Sequence, residues 1–319
     1  MAEETNLRED DATARKTRTR FGVVAIVGRP NAGKSTLLNR ILGTKVSIVS
    51  DKPQTTRNRI VGILTDDRGQ LAFLDTPGIH KPLHKLNARM MDHVRSSLSE
   101  ADIIAVIVDA TEEFGKGDQF VIELVRGEKE RNSDAKRFLI LNKIDRLKKE
   151  KLLPLMQRYH DFALFDEIVP ISAKAGEGID ELTNLFFKNV EQGEALYPKD
   201  DYTTQPERFF AAEIVREKVL IHTSEELPYT TAVNVERFEE DQETNLISIY
   251  ATIYVERSSQ KPIVIGKQGS MIKKIGTEAR QELESILGAK VFLDLHVSVH
   301  EGWREDERFL GELEHYLGD

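Results

Sequence analysis

No cysteine occurs in the 319-residue chain, which excludes disulfides, thiolate metal sites and cysteine nucleophiles and fits a reducing compartment. No apolar run reaches the roughly 18 residues that a membrane span requires, and the first twenty residues lack the apolar core of a signal peptide. A soluble, unexported protein is the expectation. What is present is 39% hydrophobic and 31% charged residues, enough apolar content to build cores, in a chain whose length suits two domains.

A net charge of −9 argues against a generally basic nucleic-acid binder. The charge is uneven, however. Residues 1 to 206 carry 32 basic and 32 acidic side chains, so the whole excess lies in residues 207 to 319, with 13 against 22. Within that acidic half, residues 257 to 290 hold seven basic side chains (Arg257, Lys261, Lys267, Lys273, Lys274, Arg280 and Lys290) against three acidic ones. A local basic patch sits on an acidic body.

Residues 1 to 20 mix charges with almost no apolar content and are expected to form a disordered arm. From Phe21 to about residue 190, apolar strand segments (FGVVAIV, RIVGILT, QLAFLD, DIIAVIVD, RFLILN and EIVPIS) alternate with helical stretches such as KSTLLNRILG. This alternation predicts an α/β domain with a mainly parallel sheet and helices on both faces. Residues 191 to 207 are polar, contain two prolines and lack sustained periodicity, as a linker would. Residues 208 to 319 then read helix, two alternating strands, helix and strand, a small α+β domain.

Gly28, Arg29, Pro30, Asn31, Ala32, Gly33, Lys34 and Ser35 match the pattern G-x-x-x-x-G-K-[ST] between a strand and a helix. The glycines allow inward-facing N–H groups and the helix N-terminus adds partial positive charge, a cradle for a β-phosphate. Lys34 is placed to neutralise β- and γ-phosphate oxygens and Ser35 to ligate Mg2+. Asp75, Thr76, Pro77 and Gly78 follow the strand QLAFL: Asp75 can hold Mg2+ through water and the Gly78 N–H can meet the γ-phosphate. Asn142, Lys143, Ile144 and Asp145 follow RFLIL. The Asp145 carboxylate can accept from guanine N1–H and the 2-amino group, donors that adenine lacks. Ser172, Ala173 and Lys174 close the base pocket.

These motifs, in this order, resemble those of translation-factor-type small GTPases over residues 21 to 190. The stretch PQTTRNRI, residues 53 to 60, resembles their first switch, whose threonine closes on Mg2+ and the γ-phosphate. Thr55 and Thr56 compete for that role, with Thr56 preferred, and Lys34, Thr56, Asp75 and Gly78 form the candidate catalytic group. Where many GTPases have a water-orienting glutamine, this chain has Ile79, which cannot polarise water but stands with Asp75, Thr76, Pro77 and Gly78 among the candidate nucleotide contacts. Asn31 matches an asparagine that such proteins can use to help bind K+ beside the phosphates; the alternative is a loop asparagine satisfying its own backbone.

In the second domain, Gly266, Lys267, Gln268 and Gly269 lie between the short apolar turn PIVI and a helix bearing Lys273 and Lys274. A glycine-flanked basic tip beside an apolar groove admits a nucleic-acid backbone and suits about four nucleotides of single-stranded RNA. Ile263, Val264, Ile265 and Ile272 are the expected groove wall, although Ile272 could equally be core. With the basic cluster as the phosphate-binding charge, Lys261, Ile265, Gly266, Lys267, Gln268, Gly269, Lys273 and Lys274 are the candidate RNA contacts. The segment resembles a KH domain of the type whose helix and two strands come first.

A GTPase followed by this KH type, together with AAEIVREKVL, ELPY and VIGKQG, is similar to the bacterial Era family over nearly the whole chain. That resemblance implies a GTP-hydrolysing switch that uses Mg2+, binds the 3′ end of small-subunit ribosomal RNA and acts in assembly of the small ribosomal subunit. It also implies a cytoplasmic protein able to contact the inner face of the cell membrane peripherally. The rival reading is a nucleotide-gated RNA-binding adaptor in which hydrolysis is only a slow timer. A metabolic kinase would have no use for Asp145 or the glycine tip.

Overall fold

The computed structural model describes residues 19–52, 54–79, 84–224 and 227–314. The expected arm lies outside these residues except at its end, where Arg20 opens the first strand and donates to the carbonyls of Lys188 (3.1 Å) and Val190 (2.6 Å). The first unit runs β1 (Arg20–Gly28), α1 (Lys34–Leu42), β2 (Ile60–Asp66), β3 (Gly69–Asp75), α2 (Lys85–Glu100), β4 (Ile103–Asp109), α3 (Lys116–Glu128), β5 (Lys136–Asn142), α4 (Leu152–His160), β6 (Glu167–Pro170) and α5 (Ile179–Asn189). Its strands form one six-stranded sheet in the order β2-β3-β1-β4-β5-β6. Only the β2–β3 pair is antiparallel.

Continuous apolar runs make the central strands. Val24, Ala25, Ile26 and Val27 of β1 are all wholly buried, as expected of a strand covered on both faces. On one face Leu37, Leu38 and Phe73 pack with Phe186 of α5, whose ring stacks on Phe138 at 5.5 Å. On the other, Met91, Val94, Leu98, Val125 and Tyr159 form a second layer. Because the parallel strands point the same way, the loops after β1, β3, β4, β5 and β6 converge at one edge of the sheet, the position where such folds build ligand sites.

The polar linker is not free chain. Buried Gln70 donates to the Tyr197 carbonyl and accepts from the N–H groups of Leu196 and Tyr197, all at 2.9 Å. Ile63 N–H donates to the Tyr202 carbonyl at 2.8 Å. The segment therefore lies along the outer edge of the sheet, beside β2.

The second unit comprises α6 (Glu207–His222), α7 (Leu227–Thr230), β7 (Thr231–Asp241), β8 (Leu246–Val255), α8 (Lys261–Ile265), α9 (Ser270–Leu287), β9 (Lys290–Val299) and α10 (Glu307–Glu314). Its sheet is ordered β7-β8-β9, antiparallel then parallel. Ile214, Val215 and Val219 of α6 and Ile275, Ala279 and Leu283 of α9 cover one face. The PIVI segment, expected as a turn, is helical in α8, with Pro262 in the first turn where its missing N–H leaves nothing unpaired. Val264 is consequently turned fully into the core and does not line the groove. The C-terminal helix α10, not anticipated from the sequence, packs Phe309 and Leu310 with Trp303 and with Leu86 and Met90 of α2.

Candidate functional site

The loop between β1 and α1 turns through Asn31 (φ 62°) and Gly33 (φ 102°). At Gly33 a Cβ would lie 2.3 Å from Asn142 Nδ2, so only glycine fits both the backbone angle and the space. Lys34 is buried, and its ammonium donates to the carbonyls of Gly28 (3.3 Å) and Arg29 (3.0 Å). Burial pulls its pKa down to about 8, with the Asp75 carboxylate partly opposing. An anion in the loop would relieve that cost.

Four side chains converge beside Lys34. Ser35 Oγ donates to Asp75 Oδ2 at 2.8 Å and lies 2.9 Å from Thr56 Oγ1, while Ser47 Oγ donates to the same carboxylate oxygen at 2.8 Å. Asp75 Oδ1 is buried without a partner, and burial raises the pKa of the group despite Lys34 and the two hydroxyl donors. Thr55 points elsewhere, donating to the Lys52 carbonyl at 2.6 Å. Of the two candidate threonines, the structure thus brings Thr56 to Ser35. Two hydroxyls and an orphaned carboxylate oxygen suit Mg2+, a hard cation that keeps several waters and takes substrate phosphates as ligands.

The base side is tied to the phosphate side by Asn142. Its Nδ2 donates to the Ala32 carbonyl at 2.8 Å and its Oδ1 accepts from Ala173 N–H at 2.9 Å. Lys143 Nζ donates to the Asn31 carbonyl (2.8 Å) and to Asp109 Oδ2 (2.6 Å). Asp145 accepts from Ser172 Oγ at 2.6 Å. Asn142, Lys143, Asp145, Ser172 and Ala173 line one open cleft of about 510 Å3 with Pro30, Asn31, Gly78 and Lys174.

Several expected site residues contribute only backbone or support. Arg29 turns outward to Glu112 (3.1 Å) and Asp118 (3.0 Å). Thr76 Oγ1 donates to the Ile26 carbonyl within the sheet. Ile79 was expected among the nucleotide contacts, but its side chain is 2% exposed in the core and its N–H donates to the Gly28 carbonyl at 2.9 Å. Ile144 packs against the same core. Gly78 remains at the cleft because its missing side chain allows approach to Pro30, where a Cβ would meet backbone at 2.8 Å. Sequence reasoning missed Ser47, which carries no local signal. It also missed Asp109, which a carboxylate ending a central strand could have flagged.

In the second unit Gly266 (φ 75°), Gln268 (φ 53°) and Gly269 (φ 76°) turn the chain through positive φ, and Lys267 and Gln268 stand exposed at the tip. Beyond it a groove between α9 and β9 is lined by Ile272, Lys273, Gly276, Thr277, Arg280, Leu293 and Leu295. Ile272 therefore serves the groove while also packing on the core. Ile263 is exposed on α8, Lys274 is exposed on α9, and Arg280 pairs with Glu284 at 2.8 Å. The strand residues Leu293 and Leu295 escaped sequence analysis because the groove's second wall comes from β9, more than twenty residues downstream of Ile272.

Fold and site together define a P-loop GTPase joined to a KH domain. A family model described as a 50S ribosome-binding GTPase matches residues 23–143, and a KH domain model matches residues 226–304. The chain is 50% identical over 294 residues to GTPase Era of Geobacter metallireducens, covering 92% of this chain and 97% of that protein. It is similar to a crystal structure of Era in complex with MgGDPNP and nucleotides 1506–1542 of 16S ribosomal RNA, with TM-score 0.89 and 41% identity over 94% of this chain and all of that one. A structure of an Aquifex aeolicus Era variant bound to GDP and AlF4− gives TM-score 0.88 at 41% identity, again over 94% and 100% of the two chains. The chain belongs to the Era family of GTPases.

Proposed function

We propose that this protein is a GTP-hydrolysing switch whose nucleotide state governs capture of the 3′ end of small-subunit ribosomal RNA during small-subunit assembly. The observation that carries this reading is the joining, in one chain, of a cleft lined by residues from each guanine-nucleotide motif to a groove that begins just beyond the GKQG tip. The small-subunit assignment rests on likeness to the Era complex with 16S RNA, which spans the length of the chain, rather than on the 50S description attached to residues 23–143.

In the cleft, phosphate-loop N–H groups and Lys34 hold the β- and γ-phosphates, and Asp145 selects guanine. Ser35, Thr56 and, through water, Asp75 would hold Mg2+, which neutralises charge on the transferring phosphoryl group. Ile79 cannot orient the attacking water, so intrinsic hydrolysis is slow. We also propose a K+ site beside the phosphates: Asn31 Nδ2 donates to the Asp51 carbonyl at 2.8 Å, leaving the amide oxygen for a cation. The expected location is the cytoplasm, where such RNA is assembled, with peripheral membrane contact resting on family resemblance alone.

The test is titration of a 16S 3′-end RNA with GTP analogue, GDP and no nucleotide. RNA affinity should depend on nucleotide, and the double variant Lys267→Asp, Gln268→Asp should lose RNA while keeping nucleotide affinity, because the tip is exposed. Linkage requires RNA to change GTP affinity by the same factor. Equal RNA affinity in all three states would leave two independent modules sharing a chain.

A further inference from the structure

The segment between α1 and β2 contains Thr56, and the second domain holds it from both sides. On the near side Ile48 is wholly buried among second-domain core residues, and Val49 N–H donates to Glu217 Oε1 at 2.9 Å. Lys45 pairs with Glu217 at 2.6 Å and with Glu282. On the far side the Arg57 guanidinium donates to the carbonyls of Thr231 (2.7 Å) and Pro228 (3.1 Å) and lies 5.5 Å from the Trp303 ring centroid. Burial, with the Arg216 cation beside it, pulls the Arg57 pKa down to about 9.

Between these anchors lies the contact that matters for chemistry. Arg216 of α6 is 3% exposed; its Nε donates to Glu213 Oε1 at 2.7 Å and its Nη2 to Glu213 Oε2 at 2.5 Å, and Nη2 also donates to the Thr55 carbonyl. That carbonyl belongs to the peptide joining Thr55 to Thr56. Fixing it restricts the two dihedrals that set the direction of the Thr56 side chain, whose hydroxyl is 2.9 Å from Ser35 Oγ. The carboxylate of Glu213 orients the guanidinium in turn, and a planar fork can serve both partners where an ammonium cannot.

We propose that Arg216, on the RNA-binding domain, is a positioning residue for the GTP-bound site: it aims Thr56 at Mg2+ and the γ-phosphate. The second domain thereby becomes a cis component of GTP-over-GDP selectivity. This rests on the assignment of Thr56 made above. GDP has no γ-phosphate, so the effect is confined to the triphosphate state.

The experiment measures affinity for a non-hydrolysable GTP analogue and for GDP, with the Mg2+ requirement of the former, in the full-length protein. Arg216→Gln should lower GTP-analogue affinity about tenfold, the order of one hydrogen bond from a charged donor, and raise the Mg2+ needed. GDP affinity should hold. Arg216→Lys keeps the buried charge beside Glu213 but not the fork, so it should remain folded and show most of the same loss. In a Thr56→Ala background neither substitution should lower selectivity further. Equal losses for GTP and GDP, wild-type selectivity in Arg216→Lys, or an undiminished effect in the Thr56→Ala background would each overturn the proposal. Unchanged selectivity in Thr56→Ala alone would instead overturn the Thr56 assignment, and the proposal with it.

Discussion

Asn142 donates through Nδ2 to the carbonyl of Ala32 at 2.8 Å, so a residue of the guanine motif holds the phosphate loop in shape. Its Oδ1 meanwhile accepts from Ala173 N–H. Both bonds are buried, and Asn142→Ala would leave two backbone groups unpaired at a cost of about 1–3 kcal/mol each. Because the joined loops touch parts common to both nucleotides, GTP and GDP affinities should fall together by about tenfold or more, as read by fluorescent-nucleotide titration. Loss for one nucleotide only would contradict the role.

Asp145→Asn exchanges an acceptor for a donor opposite the guanine 2-position. GTP binding should weaken sharply and xanthine nucleotides should gain, since their 2-oxo group can accept that donor. The amide can still take the Ser172 hydroxyl bond seen at 2.6 Å, so the loop should keep its shape. Competition between GTP and XTP measures the switch in preference.

Ile79→Ala separates core from chemistry. The side chain lies 2% exposed among Met91, Val94 and Ala25, so the truncation should destabilise by about 2–5 kcal/mol, measured by denaturant unfolding. Turnover per folded molecule should stay near that of wild type. A collapse of turnover in folded protein would return Ile79 to the reaction.

Acid should loosen the domain junction through Glu282. Burial pushes this carboxyl up, but hydrogen bonds from Lys218 and Lys45 and their positive charge outweigh it and hold the pKa below its usual 4.5. A carboxyl with a depressed folded pKa adds stability that is full above the unfolded pKa and lost as pH falls through the folded one. Wild type should therefore lose stability relative to Glu282→Gln below about pH 4.5, with no divergence between pH 6 and 8. Thermal unfolding across that range checks the sign.

Local pattern determined much of this protein. Glycine, lysine and serine at fixed spacing after an apolar run specify a phosphate loop through backbone geometry alone, and the strand-ending motifs follow because parallel strands deliver their C-terminal loops to one edge. The GKQG tip was legible for the same reason, glycines at positive φ. Contacts between distant segments were left to the tertiary structure. Thr55 and Thr56 are chemically identical in sequence, and only packing turns one hydroxyl to Ser35 and the other to Lys52. The sequence offered Ile79 and Val264 as site residues, yet both side chains face the core, because orientation on a loop or short helix depends on what packs against it. The linker reads as polar chain, but one buried glutamine, Gln70, pins it. The grip of Arg57, in the first switch, on the second domain and of Arg216, in the second domain, on the first switch joins positions more than 150 residues apart. No local periodicity encodes such a pairing; it exists once two folded surfaces meet and exclude water between them.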